Sequence, residues 1–183
     1  MKNVYVFLAE GFEEIEALTV VDLLRRADVS VKMTGISGEG SVTGSHGICV
    51  GMDTSIDEVS LEEAAMLVLP GGMPGTKHLG ACEKLTALLK KADEQKIRIG
   101  AICAAPSVLG DLGLLRGKKA VCYPGFEERL AGAEVLREQV VTDGHITTSR
   151  GMGTAIPFGL EMISCLKGEE EAERIAEAII FRR

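Results

Sequence analysis

The sequence predicts an α/β fold: a three-layer α/β/α sandwich around a mostly parallel central sheet. Three observations predict it. Residues 64–69 (AAMLVL) and 97–102 (IRIGAI) are apolar runs without polar alternation, as in strands buried on both faces. Such runs alternate with segments of helical spacing, which favours crossover connections. Proline and glycine punctuate the run ends, as in Pro70-Gly71-Gly72.

The elements follow in order. Residues 4–9 are a short β-rich run. Residues 13–26 (EEIEALTVVDLLRR) place Ile15, Leu18, Val21 or Asp22, and Leu24 or Arg25 at helical spacing. Acids lead and arginines close that segment, as the helix dipole favours. Residues 29–36 read as the next strand. Residues 39–52 alternate weakly among many glycines, which predicts a hairpin or excursion. Residues 79–94 are helical, 106–112 open a helix, 119–122 form a short strand and 126–131 a short helix. Residues 140–142 and 145–149 flank Asp143-Gly144, a hairpin signal. Residues 154–166 and 169–181 are two closing helices. No repeat, low-complexity tract or linker interrupts the 183 residues, which predicts one domain over 1–183.

Composition narrows the function classes. Hydrophobic residues are 46% and charged residues 26%, which excludes a disordered chain. Aromatics are 4% with no Trp, so the core must be aliphatic. The net charge is −7 and no basic stripe occurs, which argues against nucleic acid as a partner. No apolar run approaches the ~18 residues of a membrane helix, so no membrane partner is expected. Residues 1–9 are too short for a signal peptide, and Glu10, Glu13, Glu14 and Glu16 follow at once. Five cysteines, odd in number and without C-x-x-C, form neither a disulfide framework nor a zinc pattern. The expectation is a cytoplasmic protein with reduced thiols and no metal. Gly38-x-Gly40-x-x-x-Gly44 precedes no helix, so no dinucleotide cofactor is expected.

Ligands of open α/β sheets sit beyond the carboxyl ends of the strands. Three segments lie at such ends. The first is Cys103 in RIGAICAAPSVLG, a small-x-nucleophile-x-small arrangement where a strand becomes a helix. Its small neighbours permit a tight turn with sparsely allowed dihedrals, and Pro106 suits the first helical turn. The facing helix end should lower the thiol pKa. The second is Glu16, between Ile15 and Ala17. A charged Glu16 beside a thiolate would be repelled, so a Glu16 that meets Cys103 should be protonated and serve to move a proton. The third is Pro70-Gly71-Gly72, where the Gly72 N–H and the Ala104 N–H can form an oxyanion hole.

Other residues carry blander expectations. Glu13 and Glu14 read as a solvated acidic first turn. His145 reads as an exposed turn histidine, and Cys122 as a packing residue. His46, in the glycine-rich excursion, is a candidate to reach a partner subunit's site. Ser149-Arg150-Gly151 should cap the helix that follows, with its backbone bordering the pocket.

AEGFEEIEA, LVLPGGMPGT, IGAICAAPSVLG and TTSRGMGTA, in this order across essentially the whole chain, resemble the ThiJ/PfpI family, in the branch of the protein deglycase and its bacterial relatives. The resemblance implies a flavodoxin-like sandwich, a homodimer, and a reactive Cys103 on a nucleophile elbow hydrogen-bonded to a protonated Glu16. It implies Gly72 and Ala104 for the oxyanion, and no cofactor. The activities it implies are removal of methylglyoxal or glyoxal adducts from glycated side chains, conversion of methylglyoxal to lactate, and cysteine oxidation to sulfinate as a stress sensor or chaperone. Older labels in the family point to thiazole monophosphate synthesis and to proteolysis. Tyr123 stands where the deglycase has His. With an ordinary pKa near ~10, it can orient a substrate but cannot replace imidazole as a base. Ala104 stands where the protease-like branch has His, so no peptidase is expected. None of His46, His78 and His145 has Glu two residues later, unlike the amidotransferase relatives.

Overall fold

The computed structural model describes residues 2–38 and 40–182. Met1 and Arg183, the ends of the expected domain, and Glu39, the start of the expected excursion, lie outside the described residues. Strands β1 (Asn3–Leu8), β2 (Val31–Gly35), β5 (Thr54–Ser55), β6 (Ala64–Leu69), β7 (Arg98–Ile102), β10 (Val140–Asp143) and β11 (Ile146–Ser149) build one sheet. Its order is β10-β11-β7-β6-β1-β2-β5, and all pairs are parallel except β10–β11. This is the predicted flavodoxin-like sandwich.

Period-two alternation assigns the two faces. Val4, Val6 and Leu8 of β1 pack beneath helices α1 (Glu14–Arg26), α5 (Ala155–Lys167) and α6 (Glu169–Ala178). Tyr5 and Phe7 join Leu67, Leu69 and Ile99 against α2 (Gly75–Ala81), α3 (Glu83–Glu94) and α4 (Pro106–Asp111). Helix α5 comes close to both the sheet and α1. A Cβ on Gly100 of β7 would stand 2.5 Å from Met162 Cε, and one on Gly159 would stand 2.6 Å from Leu23 Cδ1.

Several expectations need correction. The predicted 79–94 helix starts earlier and is two helices, because Cys82 is extended (φ −77, ψ 100) and breaks the run. In α1 the buried stripe is Glu14, Glu16, Ala17, Val20, Val21, Leu23 and Leu24, while Ile15 is 49% exposed. Val21 and Leu24 of the predicted spacing face inward, but Ile15 at its start does not. The excursion is the hairpin β3 (Ser41–Thr43) and β4 (Cys49–Gly51), as anticipated. The 119–122 strand shrinks to β8 (Lys119–Ala120), paired with β9 (Glu134–Val135), and the 126–131 helix is one 3-10 turn, Glu127–Arg129. His145 is not an exposed turn residue: its Nε2 lies 2.8 Å from Asp93 Oδ1 and its side chain is only 10% exposed. No helix among the described residues is long and apolar enough to cross a membrane.

Phe158 is fully buried where α5 meets the sheet. Phe158→Ala should lower the unfolding free energy by about 3–5 kcal/mol, read as a shift of the urea midpoint at unchanged slope.

Candidate active site

Three neighbouring strands, β1, β6 and β7, end side by side, and each hands its chain to one part of the site. After β1, Glu13 caps α1 with its carboxylate, accepting from the Glu16 N–H at 2.7 Å. Its own N–H donates to the Gly71 carbonyl at 2.9 Å, which ties the start of α1 to the turn after β6. Glu16, the third residue of the helix, is 1% exposed and lies under that turn. The Gly71 N–H donates to its Oε2 at 2.9 Å.

After β7, Cys103 adopts φ +65, a left-handed conformation that a non-glycine residue rarely takes. Two backbone hydrogen bonds hold it there. Its N–H donates to the Ser149 carbonyl at 3.0 Å, and the Tyr123 N–H donates to its carbonyl at 2.8 Å. The side chain is half-buried. The expected elbow is present, and α4 begins with Pro106 as predicted.

Gly71 sets the contact between acid and thiol. A Cβ there would stand 2.6 Å from Cys103 Cβ, 2.6 Å from Glu16 Oε2 and 3.1 Å from Cys103 Sγ. Only glycine leaves that space free. The thiol and the Glu16 carboxyl therefore adjoin across Gly71, and the Ala104 and Gly72 N–H groups act on the sulfur to favour its charged form. Gly72 is itself left-handed (φ +89). Cys103, Glu16, Gly72 and Ala104 thus meet at one point. Tyr123 sits at the rim, 50% exposed, with its ring against Gly151. Gly151 backs onto the acid, since a Cβ there would stand 4.0 Å from Glu16 Oε1.

The electrostatics correct one expectation. Burial pushes the Glu16 carboxyl up to about 7, against the hydrogen bonds from Cys103 and Gly71. Burial, with the Glu16 charge adding to it, pushes the Cys103 thiol up to about 12. The thiol is not lowered by the helix end: α4 has only six residues, and the two amides on sulfur are outweighed. Near neutral pH the thiol keeps its proton and the carboxyl is close to its midpoint.

Glu14 is not the solvated residue its place in the first turn predicts: it is 2% exposed. Its Oε1 accepts from the His46 N–H at 2.7 Å, and its Oε2 lies 2.9 Å from His46 Nδ1. Burial opposes its charge, but these bonds outweigh burial and bring its pKa to about 2. Glu14 pins the β3–β4 hairpin over the start of α1. The spacing sets Glu16 apart, but nothing in it separates the capping Glu13 from the hairpin-clamping Glu14. The Glu13, Glu14 and His46 side chains gather within 4.8 Å. Capping and hairpin bonds already occupy their oxygens, so no metal is assigned there. The capping expected of Ser149-Arg150-Gly151 is not found: α5 starts without a side-chain cap, and Thr154 Oγ1 instead closes the preceding 3-10 turn by accepting from the N–H groups of Arg150 and Gly151 at 3.2 and 3.1 Å. Cys122 is buried, in line with its packing role.

A family model described as the DJ-1/PfpI family matches residues 2–165. Protein DJ-1 homolog A of Arabidopsis thaliana is 38% identical over 99% of this chain, which spans about half (47%) of that relative's length. A deglycase of Pyrococcus abyssi is 30% identical over 90% of this chain and 99% of its own. The structure of oxidized Toxoplasma gondii DJ-1 superimposes with a TM-score of 0.95 at 37% identity, covering all of both chains.

Glu16 raised to about 7 has a stability consequence of definite sign. The folded chain holds a proton that the unfolded carboxyl releases near 4.5. That contribution is complete below pH 4.5 and is lost as pH rises to about 7. The urea midpoint of the native protein should therefore fall across this window relative to Glu16→Gln. The Cys103 thiol should titrate at lower pH in Glu16→Gln, because the repelling charge is gone. Parallel stability curves would show the carboxyl to be unshifted.

Proposed function

The chain belongs to the DJ-1/PfpI family, and from that premise we propose that it is a cofactor-free cysteine enzyme acting on reactive carbonyls, removing methylglyoxal or glyoxal and their early adducts. The observation that carries this reading is the meeting of one thiol and one buried carboxyl with its pKa near neutrality across Gly71, with the Gly72 and Ala104 N–H groups acting on the thiol. A carboxyl poised near pH 7 is suited to take and return protons at neutral pH.

In the first step the Cys103 S–H gives its proton to the Glu16 carboxylate as sulfur bonds to the aldehyde carbon. The carbonyl π pair moves to oxygen, and the Gly72 and Ala104 N–H groups stabilise the oxyanion. Glu16 then protonates that oxygen, giving a hemithioacetal. With methylglyoxal, Glu16 carries the proton from the former aldehyde carbon to its neighbour through an enediol, leaving a lactoyl thioester. Water hydrolyses the thioester, releasing lactate and restoring the thiol. No external oxidant or reductant enters. In this reading Tyr123, exposed at the rim, orients the substrate oxygen.

Cys103→Ala should reduce methylglyoxal consumption to the background rate, measured by loss of the dicarbonyl with lactate as product. An unchanged rate would sink the reading.

A second reading, a redox sensor or chaperone, is favoured by the histidines. His46 pairs with Glu14, His78 Nδ1 lies 2.9 Å from the Glu10 carbonyl and His145 pairs with Asp93, so none serves Cys103 as base. The Toxoplasma structure is described as oxidized. In this reading peroxide converts Cys103 to a sulfinate that hydrogen-bonds protonated Glu16. Intact mass after peroxide should show two oxygens added at Cys103 in native protein and none at that position in Cys103→Ala. Negligible carbonyl turnover beside that gain selects the sensor.

A further inference from the structure

Two clefts adjoin at Arg150. One, of about 430 Å³, is lined by Tyr123, Pro124, Arg150 and the turn at 151–154. The other, of about 260 Å³, is lined by Cys122, Glu127, Val135, Leu136, Arg137 and Arg150. The larger cleft abuts the site: its Gly151 wall backs onto Glu16 Oε1, and the Tyr123 N–H on its floor holds the Cys103 carbonyl.

Arg150 is half-buried, and among the described residues it makes no ion pair within 4.0 Å. The hydrogen bond from its guanidinium runs from Nη1 to the Arg137 backbone carbonyl, at 3.5 Å. The facing carboxylate is Glu127, whose Oε2 accepts from the Gly125 N–H at 2.6 Å. Two guanidinium groups against one carboxylate leave this corner net positive on a chain whose overall charge is −7. An acidic protein repels anions, so a cationic corner beside the nucleophile marks a local exception. A guanidinium offers a planar fork of donors that matches carboxylate and phosphate.

We propose that Arg150, assisted by Arg137, is a specificity-determining residue that draws anionic substrates to Cys103: carbonyl compounds or adducts bearing a carboxylate or phosphate. This rests on the carbonyl-addition reading, yet it can be tested without turnover. Iodoacetate and iodoacetamide each lose iodide to the Cys103 sulfur and differ chiefly in the negative charge. At low ionic strength, the iodoacetate-to-iodoacetamide rate ratio at Cys103 should fall about tenfold in Arg137→Gln/Arg150→Gln. Arg150→Lys should retain most of it, and added salt should bring the native ratio toward that of the double variant. An identical ratio in native and double variant overturns the proposal. If the Arg150 variants fail to fold, Arg137→Gln, at an exposed position, and the salt dependence of the native protein decide. A ratio insensitive to both is then the overturning result.

Acetate and inorganic phosphate, compared at constant ionic strength, identify the anion. Whichever slows iodoacetamide alkylation of native protein is the group accepted, and protection by neither overturns the proposal. A charge-dependent ratio combined with unchanged carbonyl turnover in Cys103→Ala would defeat the catalytic reading and leave the anion site standing.

Discussion

The site depends on the contact of one buried acid with one thiol across a glycine. Glu16 is 1% exposed, and such a carboxyl is costly to charge unless it is bonded. Gly71 supplies one bond through its N–H and, by lacking a side chain, leaves room for Cys103 beside the carboxyl. A larger residue at 71 would drive the acid and the sulfur apart. The carboxyl is therefore buried enough to be raised toward 7 and bonded enough to remain titratable.

The rest of the fold holds that contact in place. The left-handed backbone of Cys103 carries local strain, and its bonds to Ser149 and Tyr123 come from two separate segments. Gly72 is left-handed as well, and its amide and that of Ala104 both act on the same thiol. The Glu13 N–H bond to Gly71 fixes the spacing between α1 and the glycine turn. Strain at one residue is tolerated because three strand ends, each buried in the sheet, converge on it.

The neighbouring acids show how burial and bonding trade off. Glu14 and Glu16 lie two residues apart and are almost equally hidden. Glu14 accepts from several donors of the β3–β4 hairpin and drops to about 2. Glu16 has fewer donors and a thiol for company, and rises to about 7. One serves as a fixed anion that clamps a hairpin, and the other as a group able to exchange protons.

Much of this was legible in the residues. Uninterrupted apolar runs gave the parallel strands, and small residues around Cys103 gave the elbow, because both are local demands of backbone and packing. Pro70-Gly71-Gly72 pointed to the correct turn, although the glycine whose missing Cβ matters most is Gly71 rather than Gly72 alone. The sequence by itself determined which strand ends converge on the candidate site, since strand period and turn chemistry act over a few residues. Only the tertiary structure decided that Glu14 is buried under a hairpin rather than solvated, that the thiol is raised rather than lowered, and that Arg150 stands beside the candidate site with no ion pair among the described residues. Those outcomes depend on burial and on partners 30 to 90 residues away, which no local pattern encodes.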